Sequence, residues 1–282
     1  MCTQTWIPDG IALDKPNPAR IYDYNLGGHH NLEVDRIVAE QINAVCPDMA
    51  LNAHANRAFL RRAVQFFVSQ GIEQFLDVGS GLPTVGNVHE IVQRGNPAAH
   101  VVYVDIDPTA VTHANAILAD NPNATAIQAD ARQPDRILGH TEVKRLLDFR
   151  RPMGILFLAV LHFVVDDEEA TRAVHTLRDA AAPGSYLAIS HLSFDEVPRE
   201  TIEQFQRLGA GSAIPSKARS RAEILPLFDE LEWVEPGLVR VPAWRPEGPD
   251  DVFLDRPERV LGWAGVGRKP GGPTASPATP AR

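Results

Sequence analysis

Gln74-Phe-Leu-Asp-Val-Gly-Ser-Gly-Leu-Pro83 is the stretch that sets the fold. An apolar run ends in an acid, and two glycines spaced G-x-G follow at once. Phe75, Leu76 and Val78 predict a buried parallel strand. Gly79 and Gly81 predict the turn that leaves it, since a residue without Cβ lets the backbone take positive φ or approach a ligand. Dinucleotide-binding turns usually place an apolar residue where Asp77 stands and a third glycine where Thr84 stands, that glycine allowing close helix packing. Both departures point away from a nicotinamide cofactor. A carboxylate at position 77 suits a ligand that carries an ammonium group.

Further along, Ala99-His-Val-Val-Tyr-Val-Asp105 predicts a second strand that also ends in an acid. In an open α/β sheet that carboxylate lies beside the first glycine turn, placed to accept from both hydroxyls of a ribose. Ile106 then lies against an adenine face, and Pro108 starts a helix to about Ala119. Ala124-Thr-Ala-Ile-Gln-Ala129 predicts a third strand, with Asp130 at its end placed to accept from an adenine amino group. An adenosine joined to an ammonium-bearing chain describes S-adenosylmethionine better than NAD. Taken singly, Asp105 could cap the next helix and Asp130 a turn. The ligand reading rests on three acids at three successive strand ends.

Periodicity and punctuation organise the rest. Val34, Ile37, Val38, Ile42 and Val45 mark one face of a helix that ends at Cys46-Pro47. A second helix, about Leu51 to Gln70, turns Phe59, Ala63, Phe66 and Phe67 inward and stops at Gly71. Strand and helix then alternate to His191, the pattern of a parallel sheet covered on both faces. The fourth strand is Gly154 to Leu161 and the fifth Ser185 to His191. A polar helix from Arg199 to Leu208 leads into Gly209-Ala-Gly-Ser, a candidate lid hinge. Ser220-Arg-Ala-Glu223 is a capping box that opens a helix to Leu231. Leu238–Val241 and Leu261–Val266 suit terminal antiparallel strands. Residues 1–18 read as a flexible arm and 19–72 as a helical cover within the same domain as the 73–268 core. Residues 269–282 read as a disordered tail.

With these motifs on the page, the chain resembles the class I, Rossmann-like, S-adenosylmethionine-dependent methyltransferases. More narrowly, it resembles an actinobacterial S-adenosyl methyltransferase family first known as a domain of unknown function. The resemblance runs from about Pro18 to Lys269. It is carried by Ala19-Arg-Ile-Tyr-Asp-Tyr-Asn-Leu-Gly-Gly28, Asp77-Val-Gly-Ser-Gly-Leu-Pro-Thr84, Tyr103-Val-Asp-Ile-Asp-Pro108, Ala159-Val-Leu-His-Phe163 and Ala182-Pro-Gly-Ser-Tyr-Leu-Ala-Ile-Ser-His191. The chain departs from the family at Gly27-Gly-His-His-Asn31, where a lysine commonly follows the glycines. Histidine is shorter and mostly neutral at pH 7, so a lysine contact to a carboxylate has no equivalent here.

The resemblance implies an α/β fold: a mostly parallel seven-stranded sheet with an antiparallel C-terminal strand and an N-terminal helical cover. It implies in-line methyl transfer from S-adenosylmethionine to a small-molecule acceptor, leaving S-adenosylhomocysteine, with the protein mainly aligning nucleophile, methyl and sulfur. On the core it implies donor contacts from Asp77, Gly79, Ser80, Gly81, Asp105 and Ile106, and from Asp130, Ala131 and Ala159 further along. On the cover it implies Arg20, gripping the methionine carboxylate, and Tyr22, its ring facing the sulfonium. Gly27 and Gly28 would let the cover bend. The plainer alternative docks Ile21, Tyr22 and Leu26 on the core. A general base is needed only where the nucleophile holds its proton. His162, after the fourth strand, is the catalytic candidate, and His191, ending the fifth, the second. Each could instead orient a loop by local hydrogen bonds.

Composition bounds the partners. The chain has 282 residues and 44% hydrophobic content, enough for a sizeable core. A net charge of -9 lacks the basic footprint of a nucleic-acid binder. Cys2 and Cys46 make no disulfide framework, and His29-His30 lack companion ligands, so no metal is expected. The N-terminus has no basic and apolar leader pattern, and the apolar run Gly154–Val165 is too short to span a bilayer. A cytoplasmic enzyme without membrane or nucleic-acid partner is expected. A non-enzymatic S-adenosylmethionine-binding module and an NAD-dependent oxidoreductase are the alternatives.

Overall fold

The structure, a computed structural model, describes residues 14–83, 86–209, 215–248, 251 and 253–271. Five parallel strands form its centre: β1 (Gln74–Val78), β2 (His100–Asp105), β3 (Ala124–Gln128), β4 (Gly154–Leu158) and β5 (Tyr186–Leu192). Their near-continuous apolar runs are what strands buried on both faces require. Three further strands complete the sheet: β6 (Glu232–Trp233), β7 (Val239–Arg240) and β8 (Gly262–Arg268). β8 runs antiparallel to β5, and β6 and β7 share its other edge. The order is β3-β2-β1-β4-β5-β8-β6, so eight strands fill seven places in the sheet.

Alternate residues of the strands feed two cores. Phe75, Val101 and Leu156 face the helices α3 (Met49–Ser69), α4 (Val88–Gln93) and α5 (Pro108–Ile117). Leu76, Val102 and Phe157 face α6 (Pro134–Gly139), α7 (Thr141–Leu146) and α8 (Asp167–Ala180). Two boundaries differ from the sequence reading. β4 stops at Leu158, because Ala159 takes a left-handed φ of 53° and Leu161–Phe163 form a 3-10 turn. The helix opened by the Ser220 capping box, α10 (Arg221–Ile224), tightens into a 3-10 turn over Leu225–Phe228, since Pro226 has no N–H to continue the ladder. Helix α9 (Arg199–Gly209) precedes it and packs on the cover. Among the described residues no helix is long and apolar enough to cross a membrane.

The cover is α1 (Pro18–Asn25) and α2 (Glu33–Val45), tied together through the buried Asp35. Asn17 caps α1 through its side chain, and Pro18 at the first position presets the helical φ. Asp35, 0% exposed, accepts from Arg20 Nε at 2.6 Å and from the amides of Asn17 and Leu32, each at 2.8 Å. Gly28 is fixed by sterics rather than by bending: a Cβ there would lie 2.1 Å from Asp23 Oδ1. At the other end Lys269, assigned to the tail by sequence, donates to the carbonyls of Arg178, Asp179 and Ala181 and so caps α8. Residues 1–13 and 272–282, Thr84, and 210–212 of the candidate hinge lie outside the described residues.

Breaking a buried ion pair by removing one partner typically costs about 3–5 kcal/mol. Asp35→Ala should therefore lower the unfolding free energy by about that amount in urea titrations. A loss within about 0.5 kcal/mol, the scatter of ordinary surface substitutions, would mean the cover is not anchored through Asp35.

Candidate active site

Strand order reverses between β1 and β4, and in open α/β sheets ligands bind in the crevice beyond the carboxyl ends at such a point. Gly79 leaves β1 there with a φ of 75°, its amide donating to the Val104 carbonyl at 2.7 Å. A Cβ on Gly79 would sit 2.1 Å from Val160 Cγ2. The turn after β1 and the turn after β4 thus meet across a missing side chain. Ser80 also donates its amide to Val104, and Gly81 donates to Asp105 Oδ2 at 2.7 Å.

Asp105 closes β2, and its Oδ1 accepts the Asp107 amide at 2.8 Å. Burial raises its pKa, and the Asp107 and Gly81 amides pull it back. Ile106 beside it is 51% exposed, an apolar face open at the sheet edge. Asp130 follows β3, where its carboxylate is gripped by Arg132, Nη2–Oδ2 2.6 Å. Burial works against its charge, but Arg132 outweighs burial and lowers the pKa. Ala131, next in the chain, packs on the core. Two carboxylates and an apolar face along one edge fit an adenosine: acceptors for hydroxyls and an amino group, and a surface for a ring.

Asp77 lies under the glycine turn rather than on the open edge. It points to the α3 face with its register neighbour Tyr103, in a solvent-open recess of about 340 Å³ lined also by Arg57, Ser80, Gly81 and Asn87. Burial raises its pKa to about 7, with Arg57 opposing. The Tyr103 hydroxyl accepts the His89 amide at 2.8 Å and lies 2.7 Å from the His89 ring. Arg57, from α3, also donates to the Gly86 carbonyl at 2.9 Å.

The cover residues separate. Arg20 is 2% exposed and pairs with Asp35 and the Lys15 carbonyl, so its guanidinium builds the cover. The Tyr22 hydroxyl donates to the Ala53 carbonyl at 3.1 Å and accepts from Asn56 Nδ2 at 3.0 Å. Burial raises its pKa. The cover crosses the end of β2: Asn17 Nδ2 donates to Asp107 Oδ2 at 2.9 Å, and His30 packs on His113, ring centroids 4.5 Å apart. Among the described residues no three His, Cys, Asp or Glu converge as metal ligands would.

Beyond β4 the two histidines share one environment. His191 Nδ1 donates to the Leu192 carbonyl at 2.8 Å, and its Nε2 accepts from Arg219 Nη1 at 3.0 Å, which fixes a neutral tautomer. Burial lowers its pKa to about 4. His162 lies 5.9 Å from it, ring to ring, and its buried Nδ1 has no partner among the described residues. Burial, then His191 and Arg219, lower its pKa to about 3. Neither is tuned as a general base for neutral pH, where a matched pKa is needed. Arg219, 1% exposed, holds the segment: it donates to the Leu161 and Val164 carbonyls and pairs with Asp167 at 2.8 Å. Asn56, Arg57 and Arg219 went unread in the sequence because their partners lie tens of residues away.

A doubly wound sheet, a glycine turn at the reversal, an acid closing β2 and a helical cover define a class I S-adenosylmethionine-dependent methyltransferase. The profile of the S-adenosyl methyltransferase family matches residues 4–270, and the chain belongs to that family. It is 43% identical to a candidate methyltransferase from Thermobifida fusca YX, over 95% of this chain and 100% of that one, with a TM-score of 0.85. It is 35% identical to a DUF574 family protein from Streptomyces avermitilis MA-4680, over 92% and 100%, with a TM-score of 0.86. No protein of curated function matches. The protein is an enzyme that uses S-adenosylmethionine, which sets aside the NAD-dependent and non-enzymatic alternatives.

The titrations carry opposite signs. Asp77 binds a proton in the native state up to about pH 7, whereas an unfolded carboxyl releases it near 4. That contribution to stability is fully present below about pH 4 and is lost as pH rises through 7. The histidines, lowered to about 3 and 4, cost stability as pH falls from about 6.5. Asp77→Asn should therefore gain stability relative to the parent as pH rises from about 5 to about 8, read as urea midpoints. A difference that stays constant over that range would assign the shifted proton elsewhere.

Proposed function

We propose that the donor lies along the carboxyl ends of β1, β2 and β3, and that the acceptor is a small molecule approaching from the β4 side under the cover. The exposed Ile106 face beside the Asp105 carboxylate, which ties the glycine turn to the end of β2, is the observation that carries the donor placement. Asp105 would take the ribose hydroxyls, Ile106 the adenine face, and Asp130 the adenine amino group with Ala131 beside it. The backbone of Gly79, Ser80 and Gly81 would approach the methionine portion. Asp77, from beneath the turn, would act on its ammonium as a charge rather than as a direct acceptor. Tyr22 and Ala159 would bound the methyl end, and Arg20 would serve by shaping the cover. The cover's contacts across β2, Asn17 with Asp107 and His30 with His113, favour a roofed site and hence a small acceptor.

When bound, S-adenosylmethionine supplies an activated methyl group on a sulfonium, so the chain's task is alignment and exclusion of water. His162 has a neutral ring with an uncommitted Nδ1 near the end of β4, suited to a hydrogen bond that orients an acceptor N–H or O–H. A nucleophile whose lone pair is free at neutral pH, such as an aromatic or ring nitrogen or a thiolate, needs no base, and His162 and His191, lowered to about 3 and 4, favour it over an alkyl alcohol.

Calorimetry and thermal shift test the donor placement. S-adenosylhomocysteine at about a hundred times its Kd should stabilise the fold by about 2.7 kcal/mol, and NAD should not. Asp105→Ala should weaken S-adenosylhomocysteine binding by about 2–3 kcal/mol, the scale of lost charge-assisted bonds. Unchanged affinity would return Asp105 to a local role, closing the turn and the start of α5.

A further inference from the structure

We propose that Asn56, on α3, is a positioning residue that couples the cover to the turn after β4, so that seating of the cover and setting of the methyl-transfer edge are one event. Segments distant in sequence meet at this side chain, α1 and β5 on α3, and the turn after β4 joins them through Ser190. Asn56 Nδ2 donates to the Tyr22 hydroxyl of α1 at 3.0 Å, and that hydroxyl donates to the Ala53 carbonyl at 3.1 Å. On its other side Asn56 Oδ1 accepts from Ser190 Oγ of β5 at 2.5 Å. Ser190 Oγ in turn accepts the Ala159 amide at 3.0 Å, the same amide that reaches the Ser190 carbonyl at 3.1 Å.

Each hydroxyl carries one proton, and each proton is committed, so the chain has one direction. Ala159 donates to Ser190, Ser190 to Asn56, Asn56 to Tyr22, and Tyr22 to Ala53. Withdrawing Tyr22 leaves the Asn56 amide without its acceptor and free to turn. Ser190 then loses a fixed partner, and Ala159 loses one of its two anchors. Ala159 is where that matters, because a left-handed φ of 53° in a residue with a Cβ persists only when its surroundings over-determine it. The next residue, Val160, fills the space over Gly79 that any side chain would occupy. The state of the cover thus reaches the glycine turn through Tyr22, Asn56, Ser190 and the Ala159 amide, with Asn56 as the middle member.

The inference rests on the donor placement proposed above, and the experiment separates the two. Binding of S-adenosylhomocysteine to the full chain is measured for Tyr22→Phe, Ser190→Ala, the double variant, and Asn56→Ala with and without Tyr22→Phe. Each single variant should weaken binding by about three- to tenfold, the range of one hydrogen bond. Coupling requires the double variant to fall short of the product of the singles by about threefold or more, and Tyr22→Phe to add nothing once Asn56 is alanine. Amide exchange supplies a readout that needs no ligand: Tyr22→Phe, a change on α1, should speed exchange at Ala159. Multiplying effects, or an unchanged Ala159 amide, would overturn the relay. If Asp105→Ala still weakens binding in that event, the relay alone has failed. If Asp105→Ala has no effect while coupling is seen, the donor placement fails and the relay stands.

Discussion

Only hydrogen fits between Gly79 and Val160, and that constraint governs the carboxyl edge of this protein. The glycine turn leaves β1 and the left-handed turn leaves β4 at the one place where the sheet order reverses. Any Cβ would separate them, since it would lie 2.1 Å from a Val160 methyl. With the turns in contact, the Gly79 and Ser80 amides lie within reach of the Val104 carbonyl, which ties the turn to β2 and aims Gly81 at Asp105. The positions of Asp105 and Ile106, and through Ala159 the start of the His162 segment, follow from that close approach.

Buried arginines hold the irregular segments around this edge. Arg20 gathers the cover through Asp35 and the Lys15 carbonyl. Arg219 gathers the turn after β4 through the Leu161 and Val164 carbonyls and Asp167. Arg62 does the same on α3, donating to the Trp244 and Val241 carbonyls. In each case a planar fork of donors reaches buried backbone carbonyls of an irregular segment, and buried backbone groups require such partners. These arginines specify loop conformation more than they add net stability, because desolvating a guanidinium offsets much of what its partners return.

The two sides of the crevice differ electrostatically for the same reason, burial. Beneath the glycine turn it protonates a carboxyl, raising Asp77 to about 7. Beyond β4 it strips protons from imidazoles, lowering His162 and His191 to about 3 and 4. Both shifts reduce charge near the junction of the two turns.

The sequence by itself determined the sheet, its order of strand and helix, and the acids at the ends of β2 and β3. Those signals are local: apolar runs of strand length, glycines at fixed offsets, a capping box and a proline at a helix start. The tertiary structure alone decided the partners of the candidate groups. Arg20 was legible as a cation fit to grip a carboxylate, yet Asp35, fifteen residues on, claims it. Asp77 was legible as an acid beside the turn, but the pleat directs it beneath, towards Tyr103 and Arg57. Asn56, Arg57 and Arg219 carry no motif, because what they do depends on Tyr22, Asp77, Ser190 and Asp167, which only chain folding brings to them. A pattern in sequence records the backbone's needs over a few residues; the partners of a long polar side chain are fixed by packing across the whole domain.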